Sequence, residues 1–300
     1  MNTKIKKKIL IVDGTFYLYR AYYTFPSLTN RWGEPSGAIY GVISMLRKLL
    51  IQYKENPIIV VFDSPHKNFR HILFKNYKKN RPNMPTSLKN QIPMLYKIIT
   101  SIGIPIITVP LVEADDIIGT LSYCAEKENF SVLIMSNDKD MMQLVTQNIR
   151  IINSTYNIKI GPDEVKKKYG IPPILIIDLL ALMGDTSDNI PGVPGIGEKT
   201  ALILLRNFGC LEKIYEKIEN IMILPIRGKK NIIINMKKNK EIAFLSKKLS
   251  TIRLDVPINI NFKDLKISKL KKQELLYFFH YYNFKKWNQQ VKNDSWLPIQ

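Results

Sequence analysis

The chain has 300 residues, 45% of them hydrophobic, enough to bury a substantial core as one large or two ordinary domains. Its formal charge of +20 points to a polyanionic partner, with nucleic acid foremost, because surface Lys and Arg release counterions when they meet phosphates. No stretch reaches the ~20 apolar residues of a membrane span, and the apolar run after Lys8 meets Asp13 too early for a signal peptide. Cys124 and Cys210 lie too far apart in unrelated contexts to suggest a disulfide framework or a thiolate zinc site, so both read as buried thiols in a cytoplasmic protein.

Along the chain, Ile9–Val12 is a short apolar run ending at Asp13-Gly14, the pattern of a buried parallel strand with an acid at its carboxyl end. Ile58–Phe62 repeats it and ends at Asp63. Between them Ile39, Val42, Ile43, Leu46, Leu49, Leu50 and Tyr53 recur at helical spacing, and Pro57 stops the chain before the second strand. Ile104–Val109 reads as a further strand, Asp115–Lys127 as a helix, and Val132–Met135 as a strand ending near Asp138. Strands alternating with helices predict an α/β fold with a mostly parallel sheet flanked by helices. Two β-rich runs within 149–160, around Ser154–Asn157, predict a hairpin that closes the sheet.

Gly161-Pro162-Asp163 starts a helix, and Gly170 with Pro172-Pro173 breaks the chain, so the domain boundary is expected at about 170/171. Beyond it the strand signals fade into a helical domain over 171–300. Ile174–Met183 is apolar nearly all round and reads as a buried helix ended by Gly184. Further helices are expected near 198–207, 211–217, 229–238, 240–249 and 271–282, with the Lys-rich stretches around Lys229 and Lys266 as solvated helix faces.

The acids that matter are Asp13, Asp63, Glu113, Asp115, Asp116, Asp138, Asp140, Asp185 and Asp188. Singly, each suits a helix cap or a turn. Collectively, the proposed sheet gathers most of them at the carboxyl ends of its strands, where open sheets bind ligands. Two bare carboxylates about 4 Å apart repel by roughly 4 kcal/mol at an effective dielectric of ~20, so a cation must offset them. Hard oxygen donors favour Mg²⁺ or Mn²⁺, and the histidines His66, His71 and His280 form no zinc-like cluster. So many acids imply two ions, which suits in-line displacement at a phosphodiester.

Basic and aromatic residues interleave directly after Asp63: Lys67, Arg70, Lys75, Lys78, Lys79 and Arg81 with Phe69, Phe74 and Tyr77. Cations neutralise phosphates while aromatic faces stack bases, a pattern fit for single-stranded nucleic acid. The glycines of Gly192-Val-Pro-Gly195-Ile-Gly197-Glu-Lys199-Thr200-Ala are those of a helix-hairpin-helix, spanning about 184–207. Glycines permit close backbone approach, and the N–H groups opening the next helix can hold a phosphate of a duplex.

The strings LIVDGTFYLYRAY, GEPSGAIYGV, VVFDSP, EADDIIGTL, NDKDMMQLV and LLALMGDTSDNIPGVPGIGEKTA run in order through nearly the whole chain. In them the sequence resembles the 5′-nuclease (flap endonuclease) superfamily, and closely the 5′-to-3′ exonuclease domain of bacterial DNA polymerase I. The resemblance implies a PIN/5′-nuclease-like core and a divalent-metal-dependent enzyme that removes RNA primers and 5′ flaps at nicked or branched DNA in replication and repair. It implies a first ion on Asp13, Asp63, Glu113 and Asp115 and a second on Asp138, Asp140 and Asp185, with Asp116 and Asp188 supporting the metal site. Arg20, Arg70, Tyr77, Lys78 and Arg81 match positions that orient the 5′ strand and the scissile phosphate, and the hairpin matches an element that grips duplex and often holds K⁺. A separate DNA polymerase is an expected partner. Asn137 departs from the family's usual Gly, and its tolerance of positive φ is the expected accommodation. A PIN-like ribonuclease and a non-catalytic DNA-binding adaptor share parts of the pattern; the hairpin string argues against the first, the complete acid set against the second.

Overall fold

The computed structural model describes residues 7–153 and 158–297. In chain order these form β1 (Lys8–Asp13), α1 (Gly14–Thr24), α2 (Gly37–Gln52), β2 (Ile58–Val61), α3 (Phe69–Leu73), α4 (Thr86–Lys89), α5 (Ile92–Ile102), β3 (Ile106–Ile107), α6 (Ala114–Lys127) and β4 (Ser131–Met135). There follow β5 (Ile149–Asn153), β6 (Ile158–Ile160), α7 (Pro162–Tyr169), α8 (Ile176–Met183), α9 (Glu198–Phe208), α10 (Leu211–Glu216), α11 (Lys229–Lys238), α12 (Lys240–Ser250), α13 (Lys272–Tyr281) and α14 (Lys285–Lys292). The residues divide into two compact units. The first takes the chain up to Ser64, Asn83–Ser136 and everything from Asp255 on; the second takes Pro65–Pro82 and Asn137–Leu254.

In the first unit the strands lie in the order β3-β2-β1-β4, all parallel. Ile9–Val12 and Ile58–Val61 are wholly buried, which is why both strands read as unbroken apolar runs. The register pairs Asp13 with Val61 and Val12 with Met135, so the carboxyl ends of β1, β2 and β4 share one edge. At that edge the chain turns straight into α1. Asp13 caps the helix by accepting from the Phe16 amide at 2.9 Å, and a Cβ on Gly14 would stand 2.7 Å from the Val60 and Phe62 side chains. The six aliphatic residues predicted to face inward from α2 are all buried; each contributes about 1.5–3 kcal/mol. The expected strand 104–109 contracts to Ile106–Ile107, because Pro105 and Pro110 lack N–H donors and β3 pairs only with β2 in this sheet. Toward the C-terminus, Trp287 stacks on Tyr40 at 4.7 Å, and Arg47 Nε donates to the Trp296 carbonyl at 2.7 Å.

In the second unit β5 and β6 form an antiparallel hairpin with Ile151 opposite Ile160. Its expected turn at 154–157 lies outside the described residues. The apolar run 174–183 begins as a 3-10 turn at Pro173–Leu175 and becomes α8, ended at Gly184 as its sequence predicts. Lys247 on α12 joins Asp178 of α8 at 2.6 Å and Glu212 of α10 at 2.8 Å, tying three helices together. Lys230, Lys237 and Lys238 lie exposed on α11. Lys266, by contrast, is exposed in a non-helical segment of the first unit.

Two smaller expectations are corrected. Cys124 is exposed and Cys210 half-buried, since α6 is amphipathic and turns Cys124 to solvent. Asn137 is absent from the positive-φ residues, so its replacement of glycine needs no left-handed backbone. Among the described residues, no helix is long and apolar enough to cross a membrane.

Candidate active site

The first unit positions five of the nine acids. Asp13 ends β1, nine-tenths buried, and accepts from Ser136 Oγ at 2.9 Å as well as from the Phe16 amide. Asp63 follows β2 by two residues; its amide donates to Thr15 Oγ1 at 2.9 Å, and its carboxylate accepts from the Ala114 amide at 2.7 Å. That contact ties the strand end to the start of α6, where Glu113 is the N-cap and Asp115 and Asp116 occupy the first turn. The positive end of the helix favours acids there. Asp116 is fully buried, Glu113 nearly so, and Asp115 half-buried.

The second unit holds the other four. Asp138 Oδ1 accepts from the Asp140 amide at 2.9 Å, which turns the chain into a 3-10 segment. Lys139 Nζ lies 2.8 Å from Asp185 Oδ2, while Ser187 donates to Asp185 Oδ1 through both its amide and its hydroxyl at 2.8 Å. Burial alone would raise the Asp185 pKa, but Lys139 and Ser187 outweigh it and hold the carboxyl below its usual range. Asp140 goes the other way: burial, then the charges of Asp138 and Asp185, push it up to about 8. Burial likewise raises Asp138, against the Asp140 amide.

The basic segment does not present all its charges to solvent. Arg70 is 2% exposed, donating from Nε to the Leu249 carbonyl and from Nη2 to the Thr251 carbonyl, both at 2.8 Å. It therefore anchors α3 to the C-terminus of α12, whose last carbonyls need donors. Tyr77 is buried against Ile190 and Leu249, and its hydroxyl donates to Asp188 Oδ2 at 3.1 Å. Lys78 lies 3.7 Å from the same oxygen, and Arg81, half-exposed, pairs with Asp188 Oδ1. Arg20 sits half-buried on α1, in the first unit.

The glycine-rich connection runs from α8 to α9. Gly192 is buried with φ +62°, and a Cβ there would fall 2.3 Å from the Gly184 nitrogen. Gly195 and Gly197 are exposed, as is Lys199, with Thr200 half-buried. Gly197 is the N-cap of α9 and supplies no side-chain cap, so the helix opens on amides suited to an anion.

Among the described residues, no group of three or more His, Cys, Asp or Glu is drawn into a metal-holding cluster. The donor set nonetheless suits a hard cation. Asp140 Oδ1 is buried with no hydrogen-bond partner, an arrangement that costs energy until a donor or an ion meets it. Sequence reasoning passed over Lys139, Ser136, Ser187 and Thr15. Lys139 stands visibly between two of the chosen acids, but the others carried no signal.

Residues 8–170 match the family described as 5′-3′ exonuclease, N-terminal resolvase-like domain, and residues 171–273 match its C-terminal SAM fold. The chain is 52% identical to the 5′-3′ exonuclease of Buchnera aphidicola subsp. Baizongia pistaciae over 96% of this chain and 95% of that one. It is 44% identical to DNA polymerase I of Pseudomonas aeruginosa over 93% of this chain but 31% of that protein. Among solved structures, T5 5′-exonuclease with bound divalent zinc is similar with a TM-score of 0.66 and 25% identity, over 81% of this chain and 89% of that one.

Proposed function

The chain belongs to the 5′-3′ exonuclease family, and on that premise we propose how its residues divide the work of hydrolysing DNA phosphodiesters from or near a 5′ end. The substrates are nicked duplexes, 5′ flaps and RNA primers, met during replication and repair in the cytoplasm, with a separate DNA polymerase as partner. Residues 1–170 form the nuclease core and 171–300 the DNA-binding part, a division supported by the two family matches that meet at 170/171.

Asp13, Asp63, Glu113 and Asp115 would hold one Mg²⁺ or Mn²⁺, and Asp138, Asp140 and Asp185 a second, with Asp116 in support. The observation that carries this reading is Asp140, a buried acid with an unpartnered oxygen and a raised pKa. When bound, such ions lower the pKa of a water and neutralise charge on the phosphate. The protein's own side chains do the rest. Lys78 and Arg81 orient the scissile phosphate and Arg20 assists with the 5′ strand, while the buried Tyr77 supports the basic segment from beneath. The Gly195–Thr200 turn and the amides of α9 hold a duplex phosphate, with K⁺ at the hairpin as a further expectation.

The test uses 5′-labelled flap, nicked and single-stranded DNA with and without Mg²⁺. Cleavage is expected only with the metal, and Asp115→Asn and Asp185→Asn are expected to abolish it while branched-DNA binding persists. Near-wild-type cleavage by either variant would remove its metal assignment.

A further inference from the structure

Within the second unit the loop from Asp185 to Ile190 closes on itself, Asp185 and Ile190 exchanging backbone hydrogen bonds at 2.9 and 2.7 Å. Its outer residues grasp the basic segment through main chain and side chain alike. Lys78 N–H donates to the Asp188 carbonyl at 2.8 Å, Asn80 Nδ2 to the Thr186 carbonyl at 2.5 Å, and Arg81 Nε to the Ser187 carbonyl at 3.3 Å. Asn189 Nδ2 reaches back to the Asn76 carbonyl at 2.6 Å. Lys78 adopts φ +53°, a left-handed conformation that a lysine holds only when its surroundings impose it.

The Asp188 carboxylate lies at the middle of these contacts. Oδ2 accepts from Tyr77 and faces Lys78; Oδ1 accepts from Arg81 and lies 3.3 Å from Ser187 Oγ, whose proton goes to the nearer Asp185. Tyr77 and Arg81 thus occupy one lone-pair direction on each oxygen, and the Lys78 ammonium adds its charge beside Oδ2. Asp140 has an oxygen that meets no donor and Asp185 is held by Lys139 and Ser187, whereas the partners of Asp188 are the tyrosine and the cations of the basic segment.

Resting on the two-ion reading above, we infer that Asp188 is a positioning residue for the basic segment and not a metal ligand. It fixes the Tyr77 hydroxyl, sets the Lys78 backbone, and aims the Lys78 and Arg81 cations from one carboxylate. A substrate phosphate then exchanges with Asp188 for cations already gathered in place.

The experiment compares Asp188→Asn, Asp188→Ala and Asp185→Asn, with circular dichroism to establish folding. Calorimetric titration with Mg²⁺ alone and the Mg²⁺ dependence of single-turnover cleavage are both read. Positioning predicts Mg²⁺ midpoints within twofold of wild type for both Asp188 variants. Cleavage should fall at least tenfold in Asp188→Ala but less in Asp188→Asn, whose amide oxygen still accepts one hydrogen bond. In an Arg81→Ala background, Asp188→Ala should cost less than a further threefold, since much of what it aims is gone. A tenfold or greater rise of the Mg²⁺ midpoint in Asp188→Asn, or full additivity with Arg81→Ala, would overturn the inference. Asp188→Asn keeps the shape of the side chain, so it carries the metal test should the Ala variant fail to fold. Failure of the two-ion reading itself would appear separately, as Mg²⁺-independent cleavage by the wild type.

Discussion

Lys139 Nζ lies 2.8 Å from Asp185 Oδ2, so an ammonium holds one oxygen of an acid expected to bind a divalent ion. The ion pair raises the Lys139 pKa even though burial opposes it, and the cation stays charged wherever the enzyme works. Lys139→Met removes that competing charge. At about 1 kcal/mol after solvent screening of a half-exposed lysine, Mg²⁺ should bind the variant roughly fivefold more tightly at pH 8. Calorimetry on protein stripped of metal reads this directly. Unchanged or weaker binding would mean that Lys139 assists the ion rather than competing with it.

Asp140 gives the metal-free protein a pH dependence of definite sign. Its folded pKa, about 8, lies well above the ~4 of an unfolded carboxyl. The stability it contributes is present in full below about pH 4 and is lost as pH rises through about 8. Urea unfolding in chelator should therefore show falling stability between about pH 6 and 8.5, with a flatter profile in Asp140→Asn. Mg²⁺ binding near pH 7 should release protons, because the ligand must ionise first. An equal slope in the variant would assign the pH dependence to other groups.

Arg70 is expected to matter to folding more than to substrate contact. Its removal strands the Leu249 and Thr251 carbonyls and empties a buried site, at a cost of about 2–4 kcal/mol. Arg70→Lys should recover only part of this, since an ammonium cannot reproduce the planar fork. Arg81→Ala, at a half-exposed position, should cost under about 1 kcal/mol. Equilibrium denaturation separates the two, and a small loss for Arg70→Ala would contradict its anchoring role.

The hairpin glycines should divide by purpose. Gly192→Ala forces a Cβ against the Gly184 nitrogen at positive φ and should destabilise by about 1–3 kcal/mol. A Cβ at Gly197 meets nothing within 4 Å, so Gly197→Ala should cost under about 1 kcal/mol. If the backbone there approaches a phosphate, that variant should still weaken duplex binding. Lys199→Ala should lower the salt slope of binding by about 1. Intact affinity in Gly197→Ala with an unchanged slope in Lys199→Ala would take this turn out of the DNA interface.

Much of this was legible in the sequence because it depends on neighbours along the chain. Buried parallel strands need continuous apolar runs, so Ile9–Val12 and Ile58–Val61 announced themselves, and the acids after them marked one sheet edge. Helical spacing marked α2, and a helix apolar nearly all round followed by glycine marked α8 and its end. Tertiary structure alone decided which charges face solvent and which face the protein. Composition shows Arg70, Lys78 and Arg81 as one basic run, but Arg70 is spent on two carbonyls about 180 residues away in sequence. The acids divide likewise: Asp140 keeps an oxygen without a donor, while Asp188 is surrounded by donors from a segment over 100 positions earlier. Spacing along the chain fixes the face on which a side chain lies; the partner across that face is set by how distant segments pack, as the pairing of Asp188 with Arg81 shows.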